Sequence, residues 1–179
     1  MSKKTFKAGL SVSSIRNLQR DLEKYRDSLE YKARLLAETL AERGVEIARV
    51  RIADLDAIFT GELIQSIHSE YRGSKKGGAV FAVVADSKHA IYVEMGTGLI
   101  GARHPYPGDL PVVYAQGKHF VALEKPLGKF PAGTYGWFYP GDDGKIYFTE
   151  GMPSRPFMYE TAIELQKIVE EEAKKIFRK

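Results

Sequence analysis

The sequence contains no cysteine, which excludes disulfide bonds and thiolate metal sites. It also lacks any apolar run near the ~20 residues that a membrane-spanning helix needs, so no membrane partner is expected. Its 27 Lys and Arg residues are interspersed with 23 Asp and Glu residues, which argues against a dedicated nucleic-acid surface despite the net charge of +4. The 179 residues and the 44% hydrophobic content are typical of one domain with a packed core.

One glycine motif resembles a dinucleotide-binding fingerprint. Gly96-Thr97-Gly98-Leu99-Ile100-Gly101 satisfies G-x-G-x-x-G. That fingerprint needs a helix to begin at the glycines and hold the pyrophosphate. Pro105 and Pro107 follow closely and are expected to forbid such a helix. We therefore predict a glycine turn that reverses the chain and no bound cofactor.

Other catalytic or metal-binding patterns are weak. The segment Asp142-Asp143-Gly144 lacks the later carboxylates of a calcium loop and is interpreted as a hairpin turn. No serine lies in a G-x-S-x-G elbow. None of the histidines has the spacing of a helical metal site, and the carboxylates near predicted loops cannot be paired from sequence. These residues are His68, His89, His104 and His119, and Glu94, Asp109, Glu124 and Glu150. We predict neither an enzyme nor a metal protein.

Residues 1–10 are predicted to form a flexible N-terminal arm, and residues 11–179 a single domain. A long helix is expected to begin after Ser11 as N-cap and to end at Gly44 as C-cap. One apolar stripe recurs along it at three- and four-residue steps. The stripe residues are Ile15, Leu18, Leu22, Tyr25, Leu29, Ala33, Leu36 and Leu40. The stripe fits either a coiled-coil partner or packing on the protein's own sheet, and residues 45–58 fit either a helix or a strand.

The rest of the chain predicts a small sheet and a second helix. Thr60 is expected to cap a short helix over residues 61–67, and a hairpin follows over residues 69–85. Residues 89–95 fit either a strand or a short helix. A last helix is expected with Pro156 in its first turn. The predicted fold is α+β, with the long N-terminal helix and the C-terminal helix packed on a small, mainly antiparallel sheet.

A loop-rich β-hairpin insertion is predicted over residues 99–151, with short strand candidates at 111–114 and 119–123. Its second half is aromatic, and the segments Trp137-Phe138-Tyr139 and Lys145-Ile146-Tyr147-Phe148 are expected to pair. Such aromatics stack on sugars or bases, anchor a subunit interface, or fill a small core. Trp137, Phe138, Tyr139 and Tyr147 are the candidate interface residues.

Three segments together resemble the minor tail and neck proteins of lambdoid and related tailed bacteriophages. Thr60-Gly61-Glu62-Leu63-Ile64-Gln65-Ser66-Ile67 is similar to the family's Asp-Thr-Gly-x-Leu-x-x-Ser-Ile, with Phe59 in place of the Asp. His89-Ala90-Ile91-Tyr92-Val93-Glu94-Met95-Gly96-Thr97-Gly98 is similar to Tyr-Ala-x-Tyr-Val-Glu-Phe-Gly-Thr. Met152-Pro153-Ser154-Arg155-Pro156-Phe157-Met158 is similar to Ala-Arg-Pro-Phe-Leu.

The resemblance implies a structural virion protein of the neck or tail-completion region, assembled in the host cytoplasm, with no catalytic residues. It further implies a homo-oligomeric ring of six copies, or alternatively twelve, that joins the head connector to the tail. The expected partners are a head-closure protein and a tail-terminator or tail-tube protein, with DNA only as cargo in the channel. A ligand-binding module that holds a glycan or nucleic acid on the aromatic hairpin is the alternative. The motif residues are expected to shape the fold, with Phe157 as a core plug.

Overall fold

The computed structural model describes residues 5–57, 61–75, 78–109, 136–141 and 143–178. Five helices and five strands are defined within these ranges. In chain order they are α1 (Val12–Asp54), α2 (Glu62–Gln65), β1 (Ile67–Lys75), β2 (Gly78–Ala85), α3 (Ala90–Met95), α4 (Gly98–Arg103), β3 (Trp137–Pro140), β4 (Ile146–Thr149), β5 (Gly151–Met152) and α5 (Phe157–Phe177). The strand candidates at 111–114 and 119–123 lie outside the described residues.

Helix α1 has 43 residues and is therefore about 65 Å long. The prediction that Ser11 caps its start is confirmed, because the Ser14 N–H donates to the Ser11 hydroxyl oxygen at 3.2 Å. At its other end the Ala57 N–H bonds the Ile52 carbonyl and the Asp56 N–H bonds the Ala53 carbonyl. Asp56 has a φ of 50°, so α1 ends in a Schellman motif with Asp56 in the left-handed position.

The prediction that Gly44 ends the first helix is wrong. Gly44 lies inside α1, and the chain stays helical through residues 45–54. A Cβ at Gly44 would lie 2.6 Å from Val83 Cγ2 and 3.1 Å from Leu165 Cδ1. The glycine is therefore needed where a strand and the last helix approach α1 closely, and not for a left-handed turn.

The first hairpin, predicted over residues 69–85, forms, and its first strand begins two residues earlier, at Ile67. β1 and β2 are adjacent in one sheet and are connected by residues 76 and 77 alone, which makes them antiparallel. The Tyr71 and Phe81 rings meet across the pair at 5.2 Å, and the Arg34 guanidinium of α1 lies 5.2 Å from the Tyr71 ring centroid. With α1, α5 and this small sheet, the predicted α+β class is confirmed.

The short helix after α1 differs from its prediction at both ends. Gly61, with a φ of 76°, occupies the N-cap position of α2. Because glycine has no side chain, it provides no capping oxygen. Thr60, the predicted cap, lies outside the described residues. The helix ends at Gln65, because Ile67 already begins β1.

The glycine motif does begin a helix, which corrects the expectation that the following prolines forbid one. α3 covers residues 90–95, which settles the strand-or-helix alternative, and α4 starts at Gly98 and has six residues. It ends at Arg103, two residues before Pro105, so the prolines limit the length of the helix and do not prevent it.

The second hairpin is confirmed. β3 and β4 pair antiparallel, with Phe138 opposite Phe148 and Trp137 opposite Thr149. The Gly144 N–H bonds the Gly141 carbonyl at 3.0 Å, and Gly144 has a φ of 74°, so the segment that includes Asp143 is a turn as predicted.

The chain divides into two compact units. The first contains residues 1–47, 68–84 and 163–179, and the second contains residues 48–67 and 85–162. The buried side chains of the second unit include Ala48, Ile52, Leu63, Ile67, Ala90 and Phe157. All three family-like motifs fall within this second unit.

Candidate functional site

The second and third motifs meet at the start of α5. The Glu94 carboxylate, which belongs to α3, accepts the Met158 N–H on Oε2 and the Tyr159 N–H on Oε1, both at 2.9 Å. The first N–H groups of a helix have no partner inside the helix, and its N-terminal end attracts negative charge. Glu94 therefore caps α5 from 64 residues away in sequence.

Two further bonds hold the same backbone segments together. The Ser154 hydroxyl donates to the Glu94 carbonyl at 2.6 Å, and the Arg155 N–H donates to the Val93 carbonyl at 2.8 Å. We call the six residues Val93, Glu94, Ser154, Arg155, Met158 and Tyr159 the Glu94 junction. The junction fixes both the start and the direction of the last helix.

The Glu94 side chain is only 6% exposed. Burial raises the pKa of Glu94 above its ordinary value, and the nearby Glu160 adds to the rise; the Met158 and Tyr159 N–H groups and the Tyr106 hydroxyl act in the opposite direction. Burial also raises the pKa of Tyr106, and Glu94 contributes to that rise. The Tyr106 ring meets the Tyr159 ring edge-on at 5.6 Å, so aromatic side chains cover one side of the junction.

Glycines allow backbone to approach backbone beside the junction. Thr97 pairs with Met152 and Gly98 with Gly151 in antiparallel bridges. A Cβ at Gly151 would overlap the Thr97 carbonyl oxygen, and one at Gly96 would lie 2.6 Å from the Ser154 nitrogen. The glycine motif therefore serves as a close-packing surface for residues 150–154, and the Ile100 N–H bonds the Glu150 carbonyl at 3.2 Å in the same region.

The first motif supplies buried anchors in the same unit. Leu63 and Ile67 are buried, and the Ile67 carbonyl accepts a hydrogen bond from the Arg49 guanidinium at 2.8 Å. The Ser66 hydroxyl donates to the Leu63 carbonyl at 2.7 Å and closes the end of α2. Both hydrogen bonds stabilise the backbone conformation of residues 63–67.

The third motif places Phe157 in the core. Its side chain is buried, which confirms the predicted core plug, and the buried Thr161 hydroxyl donates to the Phe157 carbonyl at 2.7 Å. Pro156 precedes the helix, and its carbonyl accepts the Glu160 N–H at 2.9 Å. Tyr92 and Arg155 are both half-buried.

The aromatic hairpin presents its side chains to solvent. Phe138 is 59% exposed, and Ile146, Tyr147 and Phe148 are also exposed. The prediction that these aromatics fill a small core is therefore wrong for the side chains that the structure describes, Phe138, Tyr147 and Phe148. The rings of Phe138 and Phe148 meet edge-on at 5.4 Å, and the Tyr147 hydroxyl donates to Asp143 at 2.8 Å. The side chains of Trp137 and Tyr139 lie outside the described part of the chain.

The remaining chemically active residues are dispersed. His68 lies on β1, His89 precedes α3, and His104 follows α4, where its Nδ1 lies 3.2 Å from the Ile100 carbonyl. His119 and Glu124 lie outside the described residues. Within the described ranges, no group of three or more histidines and carboxylates is arranged to hold a metal ion. None of the helices described here combines the length and the low charge content needed to cross a bilayer.

Comparison with known proteins found no matching family model, curated protein or solved structure. Sequence reasoning selected Glu94, Gly96 and Phe157 but missed Ser154, Thr161, Gly151 and Tyr106, which complete their contacts. Gly151 carries no local signal of its role, because the backbone that pairs with it comes from residues 97–98. The acidic partner of the α5 N-terminus is equally invisible in the sequence around Phe157.

Proposed function

We propose that this chain is a structural subunit of the neck or tail-completion region of a tailed bacteriophage, where its copies form a ring that joins the head connector to the tail. The proposal rests on one observation: the motif residues hold segments of backbone together. Both Glu94 carboxylate oxygens bind backbone N–H groups of α5. Gly96 and Gly101 of the glycine motif leave room for the backbone of residues 152–154 to pack against them. Residues used in this way build a scaffold and do not perform chemistry on a substrate.

The exposed surfaces favour assembly as well. Apolar and aromatic side chains are exposed on the β3–β4 hairpin and along the N-terminal half of α1. Aromatic residues are enriched at protein interfaces, and head-to-tail contacts close into a ring when the rotation per copy divides a full turn. We propose six copies per ring, with twelve as the alternative.

Mass measurement and imaging test the ring directly. Light scattering on the purified full chain should give a discrete multiple of 20.1 kDa, and electron microscopy should show a closed ring with a central channel. In the phage that encodes the chain, deletion of the gene should leave filled heads and separate tails, and a plasmid copy should restore joined particles. A chain that stays monomeric and is absent from purified virions overturns the proposal.

A second candidate function, binding of a glycan or nucleic acid on the aromatic hairpin, is favoured by the exposure of Phe138 and Tyr147. Stacking on aromatic rings contributes about 1–3 kcal/mol per base. Replacement of both residues by Ala should then abolish binding on glycan or DNA arrays without a change in circular dichroism. Ile146→Ala, which removes an exposed aliphatic side chain from the same hairpin, is the control. An intact protein that binds neither array excludes this function.

A further inference from the structure

The N-terminal half of α1 carries an apolar stripe that its own unit leaves largely uncovered. Ile15 is 52% exposed, Leu22 45% and Leu29 38%. A shallow groove runs along Ile15, Leu18 and Leu22 on this face. The Phe6 ring meets the Tyr25 ring at 5.5 Å, so the N-terminal arm covers the stripe at that point. The stripe therefore does not pack on the protein's own sheet over this half of the helix.

The spacing of the stripe fits another helix. Ile15, Leu22 and Leu29 are seven residues apart, and Leu18 and Tyr25 lie between them at the three- and four-residue steps of a heptad pattern. A narrow stripe of this period is covered by a parallel or antiparallel helix with the same repeat. A second copy of this chain provides such a helix.

Charge selects the direction of that second helix. Beside the stripe, one edge carries Asp21 between Ser14 and Ser28, and the other edge carries Arg26 and, seven residues earlier, Gln19. In a parallel, in-register pair, a residue on the first edge meets the residue five positions later on the second edge of its neighbour. Asp21 then faces the neighbour's Arg26, and Ser14 faces the neighbour's Gln19. An antiparallel pair would place each edge against the same edge of its neighbour, so Asp21 could not face Arg26.

Arg26 can form this contact at little cost. In the single chain its guanidinium bonds Asp27 at 2.9 Å and lies 3.9 Å from Glu30, and all three side chains are exposed. Exposed ion pairs of this kind contribute at most about 1 kcal/mol. The carboxylate of a neighbouring copy can therefore replace these partners at little cost.

We propose that the N-terminal half of α1 packs in parallel and in register against the same segment of a neighbouring copy, with Asp21 of one copy facing the neighbour's Arg26. The inference rests on the self-association in the proposed function and names its contact surface. Rotation about an axis parallel to α1 keeps the helices of all copies parallel. Each copy then presents its Asp21 edge to the Arg26 edge of the next copy, a contact that a closed ring repeats.

A charge-reversal series tests the pairing. Arg26→Asp should raise the dissociation constant of the oligomer about tenfold, equivalent to about 1.4 kcal/mol, because Asp21 then faces a second carboxylate. Arg20→Asp makes the same charge change on the opposite side of α1 and should leave the constant within about twofold of the wild-type value. Asp21→Arg combined with Arg26→Asp should restore assembly. Light scattering over a dilution series gives the constants, and circular dichroism verifies that α1 is intact.

A cysteine substitution tests direction and register. The natural chain has no cysteine, so Ile15→Cys introduces the only thiol. Parallel, in-register helices place the two introduced thiols within disulfide reach, whereas an antiparallel pair centred near Leu22 separates them by about 20 Å. Oxidation should therefore give a covalent dimer of Ile15→Cys on a denaturing gel and none of the control Arg20→Cys.

The outcomes separate this inference from the proposed function. A stable oligomer in which Arg26→Asp and Arg20→Asp behave alike overturns the α1 contact and leaves the ring intact. Charge-dependent assembly by a chain that is absent from virions supports the α1 contact and overturns the phage function. A chain that is monomeric at all concentrations overturns both.

Discussion

The Glu94 carboxylate and the Tyr159 N–H are joined by a 2.9 Å hydrogen bond, although 65 residues separate them in sequence. Together with the bond to Met158, this contact satisfies two N–H groups in the first turn of α5. A helix cap is usually provided by the residue just before the helix. Here it comes from another helix, so the formation of α5 and the docking of α3 are coupled.

Glu94→Ala should lower the free energy of unfolding by about 1–3 kcal/mol, because it leaves two part-buried N–H groups without an acceptor. Chemical denaturation followed by circular dichroism measures the change. Glu171→Ala is the control, since it removes an exposed carboxylate of α5 and should change stability by no more than about 0.5 kcal/mol. Equal effects of the two substitutions would contradict the capping role.

The stability of the wild-type chain relative to Glu94→Gln should fall as the pH rises from about 4.3, the ordinary value for glutamate. Because burial raises the pKa of Glu94, the folded state binds the proton more tightly than the unfolded state does. This contribution is complete below the ordinary value and is lost as the pH passes through the raised pKa. Urea unfolding of both proteins between pH 4 and pH 8 provides the comparison. A relative gain by the wild type over that range would show that the Met158 and Tyr159 N–H groups outweigh burial.

Gly44→Ala should destabilise the protein by about 1–3 kcal/mol, although Ala normally stabilises a helix interior relative to Gly by about 1 kcal/mol. The new methyl group would overlap the Val83 side chain. The double variant Gly44→Ala with Val83→Ala removes that overlap. Thermal unfolding of the two single variants and the double variant should therefore show a favourable coupling energy. Strict additivity would mean that the strand relaxes away from the helix without cost.

Gly151→Ala should be more harmful than Gly73→Ala. Both glycines have a positive φ, 103° and 110°, so each alanine incurs a similar backbone strain of about 1–2 kcal/mol. A Cβ at Gly73 meets nothing within 4 Å, whereas one at Gly151 overlaps the Thr97 carbonyl. Denaturant unfolding should show at least about 1 kcal/mol more destabilisation for Gly151→Ala, by the cost of overpacking. Similar losses at both positions would indicate that residues 97 and 151 separate easily.

The elements with local signals were predictable from the sequence. Ser11 caps α1 because a serine hydroxyl reaches the N–H three residues later, and the glycine-bounded strands β1 and β2 form a hairpin. Pro156 indicated the start of the last helix for the same kind of local reason. Such signals depend on residues within one turn of a helix or one strand.

The errors arose where tertiary contacts decide the structure. Glycine is a common helix terminator, and only the close approach of Val83 and Leu165 explains why Gly44 lies inside α1. The same holds at the candidate site: the resemblance selected Glu94, but its partners Met158 and Tyr159 follow from packing that no local pattern encodes. The sequence did not decide what packs against the N-terminal half of the α1 stripe. An apolar stripe has the same pattern whether a sheet or another helix covers it.

The paired backbones of Gly98 and Gly151 have a consequence for how the chain can vary. Partners in such an antiparallel bridge have Cα atoms about 5 Å apart, so the two ends of the segment between them lie side by side within the second unit. Doubling the length of a loop with fixed ends costs only about 0.6 kcal/mol of closure entropy. Residues inserted between Asp109 and Gly136 should therefore cost little stability, while the Glu94 junction and the contact of Tyr106 with Tyr159 stay the same.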